Sequence, residues 1–380
     1  MGVRNPGIDL LRGISILLVM LNHIGLRMRL AHGVLAAFMP KLLLNDLNFN
    51  GGEAVLIFFV ISGFLITSNS LSRWGSLARI DLRAFYVRRA SRILPCLVAL
   101  VAILAVLDRM RAPGYTITEA GQSLHGAVAS AFGLYLNWYE AHTGYLPASW
   151  DVLWSLSIEE VFYLAFPVVC LVLRKNWLLA PALVVLALSL PVTHGAIAHN
   201  SIWREKAYLP GMAGIATGVV GALIAAHWRP KSRAVVAGLV LAGVCGVVTV
   251  LGFEEPLWPR AGEPAMLALT LGTLALLLAF HWQARGGTPW RIAGTGWLQS
   301  MGRLSYEIYL THMFVILTVV AVFKRSGAGI KWGVLWYPPA FALAWLLGWL
   351  VARHFSTPVE RAMRSRLLAG KQAATVGAAG

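Results

Sequence analysis

Residues 8–28 read IDLLRGISILLVMLNHIGLRM, a long apolar run with few polar interruptions. A helix needs about 20 predominantly apolar residues to cross the hydrocarbon core of a bilayer, and this run is long enough. It is too long for the apolar region of a signal peptide, Arg12 lies inside it, and no small-residue cleavage site follows. We therefore expect residues 8–28 to form a first transmembrane helix that is retained.

Nine further apolar runs follow along the chain, which is 58% hydrophobic and 13% charged. A soluble domain carries about 25% charged residues, so the sequence predicts an all-α, polytopic membrane bundle of about ten transmembrane helices. Small residues four apart, such as Gly214 and Gly218, suit close helix packing in lipid. We expect one transmembrane domain, residues 1–366, and a short disordered tail, residues 367–380. The nine runs are residues 54–66, 93–107, 161–173, 178–192, 213–226, 234–252, 266–282, 308–323 and 334–351.

The formal charge of +16 is a topology signal, because most lysines and arginines fall in short loops. Segment 123–138 is ambiguous: the chain has eleven spans if it crosses the membrane and ten if it does not. With ten spans and a cytoplasmic N-terminus, 20 of the 32 lysines and arginines lie inside, 11 lie outside and Arg12 lies within the membrane. This bias favours ten spans with both termini cytoplasmic, and segment 123–138 on or dipping into the outer face.

Several classes of protein and site are disfavoured by what the sequence lacks. No basic stripe with interleaved aromatics lies in a polar region, so nucleic-acid binding is not expected. Cys96, Cys170 and Cys245 are far apart within apolar runs, where we expect small buried hydrophobes. No HExxH cluster occurs, so no catalytic metal is expected. No GxSxG or HxxxxD motif occurs, which argues against hydrolase and soluble glycerolipid acyltransferase chemistry.

Charged and polar side chains inside spans mark function by default, because burying them in lipid is costly. Arg12 and His23 stand eleven residues apart, which places them within about 20° of one helix face and roughly 16 Å apart along the axis. Asp9 lies three residues before Arg12 and partly neutralises it. The alternative is an arginine–aspartate pair that packs helices, with a polar histidine at the interface.

Two adjacent glutamates, Glu159 and Glu160, follow Trp154 in another span, and only one of them can face a given direction. In the ten-span topology Glu159 lies at a depth similar to that of His23, so the two are a plausible pair of base and orienting carboxylate. The competing interpretation is a glutamate that holds a neighbouring helix through a tryptophan or tyrosine. In a later span, Tyr309 is expected to pack at the interface, and His312 fits either a packing or a functional role.

A basic loop precedes the run at residues 93–107 and contains Arg89 and Arg92, three residues apart on one helix face. Paired guanidinium groups suit phosphate. The alternative is that they bind anionic lipid headgroups and set the topology, and spacing alone favours this alternative.

Five segments in order resemble the acyltransferase family 3, the integral-membrane O-acyltransferases. In the first segment ten residues separate an arginine from a histidine, which is the spacing found in that family. The third segment contains an Arg-x-x-Arg element. The resemblance covers nearly the whole chain, and the family also has ten spans. The segments are DLLRGISILLVMLNH at 9–23, GGEAVLIFFVISGFLI at 51–66, FYVRRASRILP at 85–95, WSLSIEEVFYLAFP at 154–167 and LSYEIYLTH at 304–312.

The resemblance implies transfer of an acyl group, usually acetyl from acetyl-coenzyme A, to hydroxyls of cell-surface glycans or glycosylated products at a bacterial inner membrane. By position, His23 matches the catalytic histidine and Arg12 its partner in the first motif. The matching donor-binding element holds Arg89 and Arg92. The catalytic candidates in the matching Trp-Ser-Leu motif are Glu159 and Glu160.

Further candidates lie in the same segments. Those for donor binding are Arg88, Ser62 and Tyr306. Those for acceptor binding are Glu53, Trp154 and Tyr163. We expect acyl-coenzyme A, a carbohydrate acceptor and membrane lipids as partners. Some members of the family carry a C-terminal esterase-like domain, but this chain ends soon after its last span, so no second catalytic site is expected. Sequence leaves two mechanisms open, His23 as general base or as the carrier of a covalent acyl group.

A transporter or flippase of an anionic or glycan substrate is the competing class, since ten spans with buried charges suit one. Transporters favour internal repeats with helices broken at corresponding positions. The two halves of this sequence show no such pairing, so the acyltransferase interpretation is preferred.

Overall fold

The computed structural model describes residues 4–174, 176–197, 199–253, 260–286 and 292–376. Within these ranges the chain is helical and forms no strand. Its α-helices are α1 Pro6–Gly25, α2 Lys41–Phe49, α3 Gly51–Trp74, α4 Leu82–Arg109, α5 Leu124–Phe132, α6 Leu136–Thr143, α7 Ala148–Asp151, α8 Trp154–Val172, α9 Asn176–Leu188, α10 Leu190–Gly195, α11 Ser201–Lys206, α12 Tyr208–His227, α13 Arg233–Gly252, α14 Pro264–Arg285, α15 Gly296–Arg303, α16 Ser305–Arg325, α17 Tyr337–Val351 and α18 Thr357–Val376.

The prediction of a polytopic helical membrane protein is confirmed. Over the described ranges, nine helical segments are long and apolar enough to cross a membrane. The predicted span at 178–192 is a shorter apolar helix, α9, which breaks at Ser189 before α10. Segment 123–138 forms the nine-residue α5 and the start of the eight-residue α6. Neither reaches the length of a span. The placement of both termini in the cytoplasm stays a prediction.

Local sequence signals explain why α1 begins where it does. The Asn5 side chain accepts hydrogen bonds from the backbone N–H groups of Gly7 and Ile8, at 3.0 and 3.3 Å. Pro6 occupies the first turn, where its missing N–H costs nothing. Asn5 also donates to the carbonyl oxygen of Phe280 at 2.8 Å, which fixes the start of α1 against α14.

Helices α1 and α3 run antiparallel, and this pairing orients the site. The side-chain amide of Asn22, near the end of α1, donates to the carbonyl oxygen of Asn48, just before α3 begins. The bundle therefore has two ends. We call the end with Arg4 and Arg73 the arginine end, and the opposite end, with His23, the histidine end.

Glycines bring two helix pairs into backbone contact. A Cβ added at Gly218 of α12 would lie 1.9 Å from the carbonyl oxygen of Val60 in α3. On the other pair, a Cβ at Gly302 of α15 would lie 1.8 Å from the carbonyl oxygen of Asp9 in α1. The close packing predicted from Gly214 and Gly218 is thus confirmed, and a Cβ at Gly214 would itself meet the Leu56 side chain at 2.7 Å.

Cysteine burial matches the sequence prediction at two of three positions. Cys96 and Cys170 are buried, whereas Cys245 is exposed. Cys245 is exposed because it lies on α13. Only 11% of the apolar stretch of this helix is buried, and the rest faces the surroundings of the bundle. In a membrane these surroundings are lipid.

A π-helical turn, Ala352–Ser356, joins α17 to α18, so the chain continues as helix beyond the last apolar run. Helix α18 returns against α4 and brings Glu360 and Arg364 to the arginine end. The predicted domain boundary at residue 366 stays a prediction. Helix α18 passes this position and ends at Val376. Residues 377–380 of the predicted tail lie outside the described residues.

Candidate active site

A cavity of about 520 Å³ opens within the bundle among α1, α3, α4, α8, α15, α16 and α18. The cavity contains more cationic than anionic side chains. The arginines that line it are Arg4, Arg12, Arg73, Arg88, Arg89, Arg92, Arg303 and Arg364. The carboxylates that line it are Glu159 and Glu360. The excess of guanidinium groups makes this cavity suited to an anion with several charges.

Contacts with hydroxyl and aromatic groups hold three of these arginines in place. Arg12 donates from Nη2 to the Ser305 hydroxyl at 2.8 Å, which joins α1 to the start of α16. The Arg89 guanidinium lies 3.7 Å from the ring centroid of Tyr163, within cation–π range. The Arg92 guanidinium lies 5.5 Å from the ring centroid of Tyr306.

Three of the arginines that line the cavity keep a hydrogen-bond donor unused. Nε of Arg88, Nε of Arg89 and Nε of Arg364 are each buried without a hydrogen-bond partner. Buried polar groups are normally paired, because an unpaired donor loses its bonds to water without replacement. The predicted donor-binding residues Arg12, Arg88, Arg89, Arg92, Ser62 and Tyr306 all line this cavity. Unused N–H groups in a cationic cavity suit the phosphate groups of a nucleotide ligand.

The carboxylate of Glu159 lies among the arginines. Its electrostatic neighbours are Arg89, Arg12 and Arg92, and it shares a hydrogen bond with Ser62. The Ser62 hydroxyl is also hydrogen-bonded to the Tyr163 hydroxyl. Glu160, by contrast, does not line the cavity, and its buried Oε1 has no hydrogen-bond partner.

Hydroxyl groups continue the cavity toward the histidine end. The Tyr309 hydroxyl donates to the carbonyl oxygen of Val152 at 2.9 Å and lies 2.8 Å from the Ser155 hydroxyl. Both side chains line the cavity. Tyr309 was expected to pack at an interface, but it instead joins α16 to the start of α8 at the inner limit of the cavity.

His23 lies beside His312, with ring centroids 5.2 Å apart. Glu159 lies one helical turn from Ser155 toward the arginine end, whereas His312 lies about one turn from Tyr309 toward the histidine end. Because Ser155 and Tyr309 are in contact, Glu159 lies roughly 10 Å along the bundle from the histidine pair. The expected pairing of Glu159 with His23 therefore has no geometric support, because the depth assigned to Glu159 from topology was too close to the histidine end.

The remaining acceptor candidates occupy different places. Tyr163 lines the cavity beneath Arg89. Glu53 is buried in the first turn of α3, outside the cavity lining. Trp154 packs edge-on against Phe59, with ring centroids 6.2 Å apart.

A buried ion cluster near the histidine end was missed by sequence reasoning. Lys206 is 0% exposed, and its ammonium group pairs with Glu140 at 2.8 Å and with Asp151. The same ammonium lies 4.4 Å from the ring centroid of Tyr145 and 5.9 Å from that of Trp154. The only sequence signal is a charged triplet, Arg204 to Lys206, directly before an apolar helix. Among the residues that the structure describes, no group of three or more metal-ligating side chains is assembled.

Comparison with known proteins identifies the family to which this geometry belongs. Residues 5–354 match the acyltransferase domain of the acyltransferase 3 type. The chain belongs to this acyltransferase family. It is 27% identical over 365 residues to the peptidoglycan O-acetyltransferase OatA of Listeria monocytogenes. This match covers 87% of this chain and 55% of that protein. It is 25% identical over 381 residues to the O-acetyltransferase OatA of Staphylococcus aureus. That match covers 94% of this chain and 57% of the relative.

The chain thus spans little more than half the length of these relatives. No solved structure matches it. This family is the one that the five sequence segments resemble, and all five segments lie within the matched residues.

Proposed function

We propose that this protein is a multi-pass O-acetyltransferase of a bacterial inner membrane. It transfers an acetyl group from acetyl-coenzyme A, bound at the arginine end, to a hydroxyl of a carbohydrate or glycosylated acceptor at the histidine end. Support comes from family membership and from relatives named as O-acetyltransferases. If the positive-inside bias holds, the arginine end faces the cytoplasm, where acyl-coenzyme A is available.

One observation carries the proposal. One cavity is lined by eight arginines and reaches Ser155 and Tyr309 at its other end. Neither His23 nor His312 lines the cavity, but the ring of Tyr309 adjoins that of His312, with centroids 6.0 Å apart. A cofactor that bears phosphates at one terminus and a thioester at the other suits such a cavity. The phosphates bind the arginines and leave the thioester beside the hydroxyl groups.

The length of α1 is consistent with this arrangement. Arg12 and His23 lie on the same helix, eleven residues and roughly 16 Å apart. The extended arm that links phosphates to thioester in coenzyme A runs along α1 in this proposal, from Arg12 toward His23.

His23 acts as the base in the proposed reaction. It accepts the proton of the acceptor hydroxyl as the hydroxyl oxygen bonds to the acyl carbon, and the carbon–sulfur bond then breaks. The proton passes to the departing thiolate to give free coenzyme A. In the alternative mechanism His23 first takes the acyl group itself and then passes it to the hydroxyl.

The acceptor site is proposed at the histidine end. Glu53 and Trp154, both buried, remain candidates for acceptor contacts, whereas Tyr163 lies beneath Arg89 in the donor cavity. Glycan acceptors agree with the peptidoglycan named for the relative in Listeria monocytogenes.

The test is acetyl-coenzyme A binding and slow release of free coenzyme A by purified protein in lipid nanodiscs. We expect His23→Ala to bind the donor and lose turnover. We expect Arg89→Ala/Arg92→Ala to weaken binding at least tenfold, because charge-assisted bonds to phosphate are lost. Arg353→Ala is the matched control, since Arg353 is exposed and does not line the cavity.

Failure to bind any acyl-coenzyme A would overturn the donor assignment and favour a transporter. Loss of binding in Arg353→Ala equal to that in the double variant would show that the cavity arginines have no special part in donor binding.

A further inference from the structure

The tautomer of His312 is set by its own helix. Nδ1 of His312 lies 3.1 Å from the carbonyl oxygen of Ile308 and 2.8 Å from that of Tyr309. A carbonyl oxygen only accepts hydrogen bonds, so Nδ1 carries the hydrogen. In the neutral ring Nε2 is then a hydrogen-bond acceptor.

This acceptor nitrogen has no partner within the protein. Nε2 of His312 is buried without a hydrogen bond, and the residue is 0% exposed. Nδ1 of His23 is likewise buried and without a partner, although His23 as a whole is only partly buried. Two unsatisfied nitrogens on neighbouring rings are costly unless they satisfy each other.

The two rings are close enough to do so after a small rotation. Their centroids are 5.2 Å apart and their planes are inclined by 47°. Rotation of the His23 side chain about its own bonds can bring its Nδ1–H toward Nε2 of His312. His312 itself is held by its two carbonyl contacts and does not need to move.

We infer that His312 is the positioning residue of His23, an assignment that rests on the proposed function. Nδ1–H of His23 donates to Nε2 of His312, which leaves Nε2 of His23 with its lone pair free. Which ring nitrogen of a histidine is reactive is decided by the hydrogen bond that the other nitrogen makes. His312 thus takes the part in orienting the imidazole that sequence analysis gave to Glu159.

The proton path through the pair is short. Nε2 of His23 takes the proton of the acceptor hydroxyl while the oxygen–carbon bond forms and the carbon–sulfur bond breaks. Nε2 then returns the proton to the departing thiolate. Through both steps Nδ1–H of His23 stays bonded to His312, which never changes its own protonation.

Variants of His312 separate positioning from packing. Leucine at 312 fills space but accepts no hydrogen bond, whereas the glutamine amide oxygen can accept one near the position of Nε2. We expect His312→Leu to lower kcat about ten- to a hundredfold, by analogy with loss of the hydrogen-bond partner of a metal-bound histidine. KM for acetyl-coenzyme A should stay within about twofold, because the arginines that bind the donor are untouched. We expect His312→Gln to recover most of kcat.

The matched control is His227→Gln. His227 makes the same kind of bond, from Nδ1 to the carbonyl oxygen of Leu223 at 2.8 Å, but it lies at the arginine end and outside the main cavity. We expect this variant to keep wild-type kcat and KM.

A second measurement does not depend on turnover. In protein with 15N-labelled histidine, nitrogen chemical shifts report whether Nδ1 or Nε2 of His23 carries the hydrogen. We expect the Nδ1–H form in the wild type and in His312→Gln, and its loss in His312→Leu.

A wild-type protein with His23 in the Nε2–H form would overturn the inference, and so would a His312→Leu variant with wild-type kcat. Equal loss of kcat in His312→Gln and His312→Leu would also count against it. If the wild type shows no turnover with any acyl donor, the proposed function fails, and the nitrogen shifts still decide whether His312 orients His23.

Discussion

Tyr163 is held at both ends of its side chain. Its hydroxyl is hydrogen-bonded to Ser62, and its ring lies beneath the Arg89 guanidinium. The ring thus supports a guanidinium whose Nε is buried and unpartnered. An arginine on an aromatic face keeps its remaining N–H groups directed to the sides, where phosphate oxygens can meet them.

We expect Tyr163→Leu to weaken acetyl-coenzyme A binding about tenfold. The reason is loss of a cation–π contact worth about 1–2 kcal/mol in a site shielded from water. Tyr163→Phe keeps the ring and is expected to bind within about threefold of the wild type. Isothermal titration of the purified variants measures both, and unchanged affinity in Tyr163→Leu would remove the ring from the donor site.

At residue scale, sequence reasoning succeeded where a single helix decides the geometry. Arg12 and His23 share α1, so their spacing could be converted directly into a distance. Sequence reasoning could not place Glu159 relative to His23, because the relative depth of Glu159 and His312 depends on how α8 and α16 are offset. That offset is fixed by the contact of Ser155 with Tyr309, which spacing along one helix cannot predict.

Three short helices at the histidine end are joined by one buried ammonium group. Lys206, at the end of α11, pairs with Glu140 of α6 and Asp151 of α7. The Asn137 side chain adds a hydrogen bond to the carbonyl oxygen of Lys206 at 2.9 Å. Helix α6 has only eight residues and is too short to cross a membrane, so these contacts hold it on the bundle.

We expect Lys206→Met to destabilise the protein by about 3–5 kcal/mol, because it leaves the fully buried Glu140 without its counter-charge. Adding Glu140→Gln to this variant removes the more deeply buried of the two carboxylates left without Lys206 and should recover much of the loss. Thermal unfolding midpoints, compared at one scan rate in one detergent, measure the change. A single variant as stable as the wild type would contradict the structural role of the cluster.

Contact between helix backbones makes a second prediction at this scale. We expect Gly218→Val to unfold or markedly destabilise the protein, because its Cβ would lie 1.9 Å from a backbone oxygen of α3. Gly238→Val in α13 is the control, since no atom lies within 4 Å of a Cβ there. Yield of monodisperse protein and its unfolding midpoint separate the two. Equal behaviour of both variants would argue against the close approach of α3 and α12.

Elements were predicted well where hydrophobic length is the signal. The nine long apolar helices in the described part of the chain need little more than composition to be recognised, and glycines four apart indicated the packing of α12. The break at Ser189 and the continuation of helix through residues 352–376 were not predicted. Both depend on packing against neighbouring helices rather than on a strong local stop signal.

At the scale of the whole molecule, the charge bias predicts which end faces the cytoplasm. Two exposed serines, Ser232 beside α13 and Ser326 after α16, lie at opposite ends of the bundle in this topology. In a background without native cysteines, we expect Ser326→Cys to react with a membrane-impermeant maleimide in intact spheroplasts. We expect Ser232→Cys to react only after the membrane is permeabilised. The reverse pattern would invert the topology and place donor binding on the wrong side for acyl-coenzyme A.

Helices α1 and α3, which form one wall of the cavity, cannot slide or rotate without a steric clash, because α15 and α12 touch them backbone to backbone. The facing helices α4 and α18 are joined by longer side-chain links. Arg92 lies 3.9 Å from Glu360, and Arg83 donates to the carbonyl oxygen of Leu367 at 3.0 Å. Such links can exchange partners without repacking. We therefore expect any movement that admits and releases a ligand to occur at α4 and α18 rather than at α1 and α3.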